Sequence, residues 1–326
     1  MNFIEHSLAN PLSAESVSTQ LSDGTQLNLL ETGILRVSPP NTGGYRIVIS
    51  CGIHGNETAP IELVEQMVSD IANGHLQVRN EILFVFGNPR AANNESRFVE
   101  ENLNRLFSGK HLHSNSLEAS RAKLIEQHVD LFFLGGSDDE QRLHYDLHTA
   151  IRGSRFRRFA VYPFLHKRSW SKPQLAFLEY CGIEAVLLSN QPAGTFSYFS
   201  SHTYGAHAFT LELGKVKKFG ENNLSDFEAV VTGLRQLIAG TETFTHSGEN
   251  IQIFSVVEEV IKRSENFKLH IEDDAENFTE FDKGSLLASD LDYEYRTRQH
   301  GERFVFPISN VPIGQRAMLV VAPTEL

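Results

Sequence analysis

The chain has 326 residues, of which 40% are hydrophobic and 21% charged, and this balance predicts a soluble globular protein of about two domains. Its formal net charge of −12 argues against nucleic acid or an anionic membrane as a general partner. Neither a transmembrane run nor a secretory signal is visible. Because only Cys51 and Cys181 occur, we expect no disulfide framework and a cytoplasmic location.

Strand-like and helix-like segments alternate as far as residue 240. Strands rich in β-branched and aromatic residues are predicted at 45–50, 81–87, 143–148, 158–164, 184–189 and 208–213. Helices are predicted from Pro60 to Gly74, over 117–131, from Pro173 to Gly182, and from a capping box at Ser225 and Glu228 to Gly240. This alternation predicts an α/β fold, with a mixed or parallel sheet flanked by helices on both faces.

The character of the sequence changes within 239–250, a segment of small and polar residues. Short strand-like runs follow, punctuated by Gly and Pro and without a convincing helix between them. We therefore expect a larger α/β domain at 1–242 and a smaller all-β domain at 243–326.

Polar side chains come at the ends of three predicted strands. His54 and Glu57 follow the first, His148 ends the strand at 143–148, and Glu212 lies at the end of the strand at 208–213. Ligands of open α/β sheets gather at this edge. Two histidines and a carboxylate can hold a catalytic zinc ion with one position open, and a further carboxylate can act as general base. Spacing alone does not show that they converge, and Cys51 is an alternative ligand, although buried thiols usually act as small hydrophobic groups.

Several segments resemble one known family. "GIHGNE" (52–57), "DLHT" (146–149) and "TLELGK" (210–215) are similar to the aspartoacylase and succinylglutamate desuccinylase branch of the zinc carboxypeptidase-like superfamily. The resemblance extends over nearly the whole chain, including "FVFPISNVPIGQRAML" (304–319), and is closest to the succinylglutamate desuccinylases. It implies a zinc-carboxypeptidase-like catalytic domain, a small β domain that narrows the cleft, and one Zn²⁺ per subunit. The implied zinc ligands are His54, Glu57 and His148, with Glu212 as general base.

The resemblance also implies roles for a charged loop. In this family an arginine precedes an Asn-Arg pair by seven and eight residues, which is the spacing of Arg97 to Asn104 and Arg105. Arg105 can hold a substrate carboxylate with Asn104 as a further donor, and Arg97 can stabilise the oxyanion formed on the attacked carbonyl. An ordinary solvated charged loop is the alternative interpretation.

The chain departs from the family at Asn102, where an aspartate often orients a zinc-bound histidine. An asparagine can accept the same hydrogen bond but brings no charge, which leaves the tuning of the metal open. Asp146 alternates with His148 and fits either a partner of that ligand or a buried structural pair. His144 on the same strand is predicted to be a packed histidine.

Further candidates surround the predicted site. Arg152 and Arg155 follow His148 by four and seven residues and are candidate substrate contacts, although a solvated basic face fits them equally. Tyr198, Tyr293 and Tyr295 are candidates to reach the substrate.

The function that the resemblance implies is hydrolysis of N2-succinyl-L-glutamate to succinate and L-glutamate, the last step of arginine catabolism through succinyl transfer. N-acyl-aspartate deacylation and peptide carboxypeptidase activity by the same residues stay open. So does a metal-free protein of the same fold that binds a small anion. The implied partner is a small anionic molecule, and homo-oligomerisation is left open.

Overall fold

The computed structural model describes residues 2–137, 139–242 and 247–326. Within them the α-helices are α1 (Phe3–Ala9), α2 (Thr58–Ala72), α3 (Pro89–Asn93), α4 (Leu117–Leu134), α5 (Lys172–Tyr180), α6 (Phe196–Tyr204) and α7 (Glu228–Ala239). The strands of the first part are β1 (Val17–Gln20), β2 (Gln26–Glu31), β3 (Ile34–Ser38), β4 (Tyr45–Cys51), β5 (Glu81–Phe86), β6 (Gln141–Ala150), β7 (Phe159–Tyr162), β8 (Ala185–Leu188) and β9 (His207–Lys215). Those of the last part are β10 (Gln252–Ile261), β11 (Lys268–Leu269), β12 (Leu286–Asp290), β13 (Tyr293–Arg296), β14 (Arg303–Val305) and β15 (Arg316–Pro323).

Most strands belong to one mixed sheet, whose order is β1-β2-β3-β5-β4-β6-β9-β7-β8-β10-β15-β14. At its centre β5, β4, β6 and β9 run parallel to one another. The meander β1-β2-β3 joins this centre antiparallel through β3 and β5. Strands β11, β12 and β13 form a separate small sheet.

Helices cover both faces of the central strands. Ile47 and Ile49 of β4 pack in the core that holds the apolar side chains of α2, α5 and α7. Val48 points the other way, into the core formed with α4 and α6. Because both faces are covered, β4 is apolar at successive positions, as expected of a buried parallel strand. The predicted α/β class with a mixed sheet flanked by helices is confirmed.

The last part of the chain is joined to the main sheet. The first half of β10 runs parallel to β8, with Ile253 opposite Val186, and β10 continues antiparallel to β15. A second junction lies at Asn277, whose N–H donates to the carbonyl of Gly153 over 2.9 Å. Residues 243–246, at the predicted domain boundary, lie outside the described residues.

Local signals failed at several places. The predicted capping box is wrong, because Ser225 donates to Asn223 and the helix begins at Glu228, after a 3₁₀ turn at Leu224–Phe227. Helix α6 has no counterpart among the predicted helices, and its Ser- and aromatic-rich sequence has low intrinsic helix propensity. Strands β1 to β3 were also not predicted, and β1 is exposed at every position, which removes the alternation that marks a strand.

In the part of the chain that the structure describes, no helix has the length and apolar character needed to cross a membrane.

Candidate active site

The three predicted strand ends meet at one edge of the sheet. Strands β4, β6 and β9 are consecutive neighbours, so their carboxyl ends lie side by side. His148 on β6 stands opposite Glu212 on β9 in the strand register. The loop after β4 carries His54 and Glu57 to the same place, and a single cavity is lined by all four side chains.

Close packing fixes the loop after β4. A Cβ on Gly55 would lie 2.1 Å from the backbone nitrogen of Ala92, so the loop and α3 can approach this closely only with glycine there. The N–H of Gly55 also donates to the carbonyl of Arg97 over 3.2 Å. Helix α2 begins at Thr58, and Glu57 at its N-cap makes no capping bond with its side chain. The Glu57 carboxylate is therefore free to turn towards the histidines.

Glu57 is the centre of the cluster. Its Oε1 lies 2.8 Å from Nδ1 of His54, and its Oε2 lies 2.8 Å from Nδ1 of His148. One ligand atom from each residue lies within 4.8 Å of the others, and all three residues are buried. The backbone N–H of Thr149 donates to Oε2 of Glu57 over 3.1 Å. Two imidazole nitrogens and a carboxylate thus converge on one point, as a tetrahedral metal site with one open position requires.

The other ring nitrogens decide whether a metal fits. Nε2–H of His148 donates to Oδ2 of Asp146 over 2.9 Å, and Nε2–H of His54 donates to Oδ1 of Asn102 over 3.0 Å. The same Oδ1 accepts the N–H of Asn104, which identifies it as the amide oxygen. Both rings therefore turn Nδ1 towards the carboxylate of Glu57.

Burial lowers the pKa of His54 to about 4, so this ring is neutral at pH 7 and has a single N–H. With Nε2–H donating to Asn102, its Nδ1 presents a lone pair to a carboxylate oxygen. A divalent cation between them satisfies both groups, so the residues present fit a metal ion. For His148, Asp146 and Glu57 outweigh the effect of burial and raise the pKa.

Cys51 is excluded as a fourth ligand. Its side chain is fully buried in the core beneath the sheet, and it is not a member of the cluster in the described residues. Burial raises the pKa of its thiol well above the usual range, which opposes the thiolate that a metal needs.

A buried chain of hydrogen bonds continues behind His148. Ser50 donates to Oδ1 of Asp146 over 2.6 Å and lies 2.9 Å from Nε2 of His144. Nδ1 of His144 lies 2.8 Å from the hydroxyl of Ser200. Asp146, Ser50, His144 and Ser200 are all fully buried. These hydrogen bonds fix the Asp146 carboxylate that orients His148. His144 is packed in the interior, as predicted.

Glu212 has the environment of a general base. Burial, and the nearby charges of Glu57 and Asp146, raise its pKa to about 7 against the opposing effect of His148 and Arg97. Its Oε2 is buried without a hydrogen-bond partner in the described residues. A carboxyl group whose pKa is near 7 is partly ionised at physiological pH. Because Glu212 also presents an unbonded oxygen to the cavity, it can both accept a proton and return it.

Three residues of the charged loop line the cavity. Nη1 of Arg97 donates to Oε1 of Glu57 over 2.8 Å. Asn104 accepts the N–H of Phe196 on its Oδ1 over 2.9 Å, so its amide N–H groups are what it can offer a ligand. Arg105 is exposed to the cavity, and its Nη1 donates to the carbonyl of Asn104 over 2.8 Å. Because these residues line a cavity and make specific hydrogen bonds, the loop is not the ordinary solvated loop of the alternative interpretation.

The two arginines after β6 are placed differently from each other. Arg152 lines the cavity, but its Nη1 donates to backbone carbonyls that include Asp273, at 2.6 Å. Arg155 lies outside the cavity lining and pairs with Glu276 over 3.5 Å. The structure thus brings Arg152 to the site and leaves Arg155 on an exposed face.

The three candidate tyrosines are not in the cavity lining of the described residues. Tyr198 lies 3.0 Å from His166, Tyr295 donates to Glu302, and Tyr293 lies under the guanidinium of Arg263.

The last part of the chain supplies other residues that the sequence did not single out. Asn277, Phe306 and Arg316 all line the cavity. Asn277 accepts the N–H of Phe306 over 2.8 Å, and Phe306 has a φ of 56°, a conformation that costs about 1–3 kcal/mol in a non-glycine residue. Arg316 lies within the segment 304–319, which resembles the family, but no spacing or local pattern indicates that it is a site residue.

Comparison with known proteins agrees with this arrangement. Residues 43–238 match the family described as succinylglutamate desuccinylase/aspartoacylase catalytic domain, and residues 249–324 match the AstE/AspA barrel-sandwich hybrid domain. A protein of Pseudoalteromonas atlantica named succinylglutamate desuccinylase is 48% identical over 95% of this chain and 90% of its own length.

Two solved structures bear the same name. The one from Chromobacterium violaceum has a TM-score of 0.90 at 40% identity and covers 100% of this chain and 98% of its own. The one from Vibrio parahaemolyticus has a TM-score of 0.92 at 38% identity, with coverage of 99% and 95%. The chain belongs to the succinylglutamate desuccinylase/aspartoacylase family.

Proposed function

We propose that this chain is a zinc-dependent amide hydrolase that cleaves N2-succinyl-L-glutamate to succinate and L-glutamate, the last step of arginine catabolism through succinyl transfer. The observation that carries the proposal is the convergence of the two Nδ1 atoms on Glu57 beside Glu212, a buried carboxylate with a free oxygen. The names of the relatives over nearly the full length support the substrate.

His54, Glu57 and His148 would hold one Zn²⁺ per subunit. A zinc ion held there would lower the pKa of a bound water and polarise the amide carbonyl. Asp146 and Asn102 accept Nε2–H of the two imidazoles, so that Nδ1 of each ring faces the position where the metal would lie.

Glu212 takes a proton from the attacking water and returns it to the leaving nitrogen of glutamate. Arg97, at the cavity wall beside Glu57, stabilises the negative charge that develops on the carbonyl oxygen. Arg105 and Asn104 bind a carboxylate of the glutamate part, which we assign as its α-carboxylate. Arg152 adds positive potential at the cavity wall. Its guanidinium also donates to backbone carbonyls within residues 272–275 and so holds that loop in place.

The proposal has three further parts. We divide the chain into a catalytic domain at 1–242 and a small β domain at 243–326 that narrows the cleft, and the two family matches fall on either side of this boundary. We place the protein in the cytoplasm, with a small-molecule anion as partner and no nucleic acid. Homo-oligomerisation is compatible with the proposal but not required by it.

The test is release of L-glutamate from N-succinyl-L-glutamate by the purified chain, with N-acetyl-L-aspartate in parallel. Both substrates are assayed as purified, after chelation, and after Zn²⁺ is added back. We expect cleavage of the succinyl compound that disappears on chelation and returns with zinc. Preference for N-acetyl-L-aspartate would overturn the substrate, and activity that survives complete removal of metal would overturn the mechanism.

A further inference from the structure

Two arginines of the cavity are neither tightly paired with a carboxylate nor held by several backbone carbonyls. Among its described lining residues the carboxylates are Glu57 and Glu212, and the arginines are Arg97, Arg105, Arg152 and Arg316. Arg97 is paired with Glu57, and Arg152 is satisfied by backbone carbonyls. That leaves Arg105 and Arg316 as the cations available for a ligand.

Arg316 is weakly paired within the protein. Its Nη1 lies 4.0 Å from Oε1 of Glu259, the limit of an ion pair, and its side chain is 31% exposed. It opens strand β15, where its backbone is fixed opposite Ile261 of β10. The rigid strand thus presents a guanidinium to the cavity from the last part of the chain.

Arg316 and Arg105 line the same cavity. Besides desolvation, the charge that most lowers the pKa of Arg105 is that of Arg316, ahead of Arg97. Two guanidinium groups in one cavity repel each other, and a ligand with two carboxylates relieves this repulsion. A glutamate residue bears two carboxylates a few bonds apart.

We propose that Arg316 binds the side-chain carboxylate of the glutamate part of the substrate, beside the α-carboxylate held by Arg105. The inference rests on the proposed function and makes Arg316 the residue that selects glutamate over an uncharged leaving group. It also gives the last part of the chain a direct role in substrate choice, because the selecting side chain begins β15.

The test compares N-succinyl-L-glutamate with N-succinyl-L-glutamine, which has the same shape but no side-chain charge. In the zinc-loaded wild type, kcat/KM should favour the glutamate compound by about 100-fold, the loss expected for one charged hydrogen-bonded contact. In Arg316→Gln the preference should fall to a few-fold, with activity on the glutamine compound retained. Arg316→Lys should keep part of it, and Arg296→Gln, an exposed arginine of β13, should keep all of it.

A binding measurement separates this inference from the proposed function. Calorimetric affinity of the zinc-loaded protein for L-glutamate should fall about 100-fold in Arg316→Gln, while the affinity for L-glutamine stays unchanged. If the wild type hydrolyses neither succinyl compound, the proposed function fails and the binding result alone decides the role of Arg316.

Two results would overturn the inference. One is an Arg316→Gln variant that folds with the wild-type melting temperature and still prefers glutamate as the wild type does. The other is a variant that instead loses discrimination between N-succinyl-L-glutamate and N-acetyl-L-glutamate, which would place Arg316 at the acyl end. If Arg316→Gln does not fold, Arg316→Lys replaces it in the test. A wild-type preference for N-succinyl-L-glutamate over N-succinyl-L-glutamine in Arg316→Lys, together with an unchanged affinity for L-glutamate, would also overturn the inference.

Discussion

Asp146 accepts a hydrogen bond from Nε2–H of His148 over 2.9 Å, and it does so from the same strand, two residues earlier. Side chains at i and i+2 of a strand share one face, so β6 supplies both a metal ligand and the carboxylate that orients it. Because Asp146 is fully buried and also bonded to Ser50, the orientation of His148 is fixed before any metal binds.

Asp146→Asn should weaken zinc binding by about 10- to 100-fold, because an amide without the negative charge of the carboxylate leaves Nδ1 of His148 a less basic ligand. Competition with a chelating dye at pH 7 measures the affinity. Asp292→Asn, at an exposed position, is the control and should bind zinc as the wild type does. Wild-type affinity in Asp146→Asn would show that the carboxylate does not tune the site.

Asn102→Asp should tighten zinc binding by up to about tenfold, because a carboxylate next to Nε2–H of His54 raises the basicity of its Nδ1. The substitution keeps an oxygen for the N–H of Asn104, so the local turn should survive. The same dye competition measures the effect, with Asn102→Ala expected to shift affinity in the opposite direction. Weaker binding in the aspartate variant would contradict this account of Asn102.

Gly55→Ala should destabilise the fold by about 3 kcal/mol or more, because the new methyl group meets the backbone of α3 and neither element can move without disturbing the site. Gly74→Ala is the matched control. Gly74 has a φ of 75° but open space around its Cβ position, so its cost should be about 1 kcal/mol. Urea unfolding of both variants tests the difference, and equal losses would contradict the steric explanation.

His144 should make stability depend on pH. Burial lowers its pKa to about 4 in the folded chain, whereas an unfolded histidine titrates near 6.5. Below about pH 6.5 the unfolded state therefore binds the extra proton, and the stability that neutral His144 provides is lost as pH falls towards 4.

The measurement is urea unfolding of metal-free wild type and His144→Gln between pH 7 and pH 4. The stability difference between the two proteins should shrink by about 3 kcal/mol over this range. A difference that stays constant with pH would mean that His144 does not resist protonation in the folded chain.

The convergence of His54, Glu57, His148 and Glu212 was predictable because it follows from strand geometry. Polar residues at the carboxyl ends of parallel neighbours meet at one edge, and β4, β6 and β9 proved to be neighbours. The central strands were equally easy to predict, since a buried parallel strand is apolar at successive positions.

What the sequence could not predict depends on distant contacts. Arg316 is separated from Arg105 by most of the chain, and it reaches the cavity only because β10 joins the main sheet beside β8 and β15 pairs with β10. Ser225 showed the opposite failure, because the local capping-box pattern is present but Leu224–Phe227 form a 3₁₀ turn and the helix begins only at Glu228. Helix α6 forms because its aromatic side chains are buried against β6 and β9, although its intrinsic propensity is poor.

The most direct test of the account is the Glu212→Gln variant, measured for both zinc content and hydrolysis of N-succinyl-L-glutamate. Since Glu212 is outside the metal cluster, the account predicts one zinc per chain and a kcat/KM at least about 10³-fold below the wild type. A variant that holds zinc and turns over substrate at a rate near that of the wild type would contradict the assignment of Glu212 as the general base.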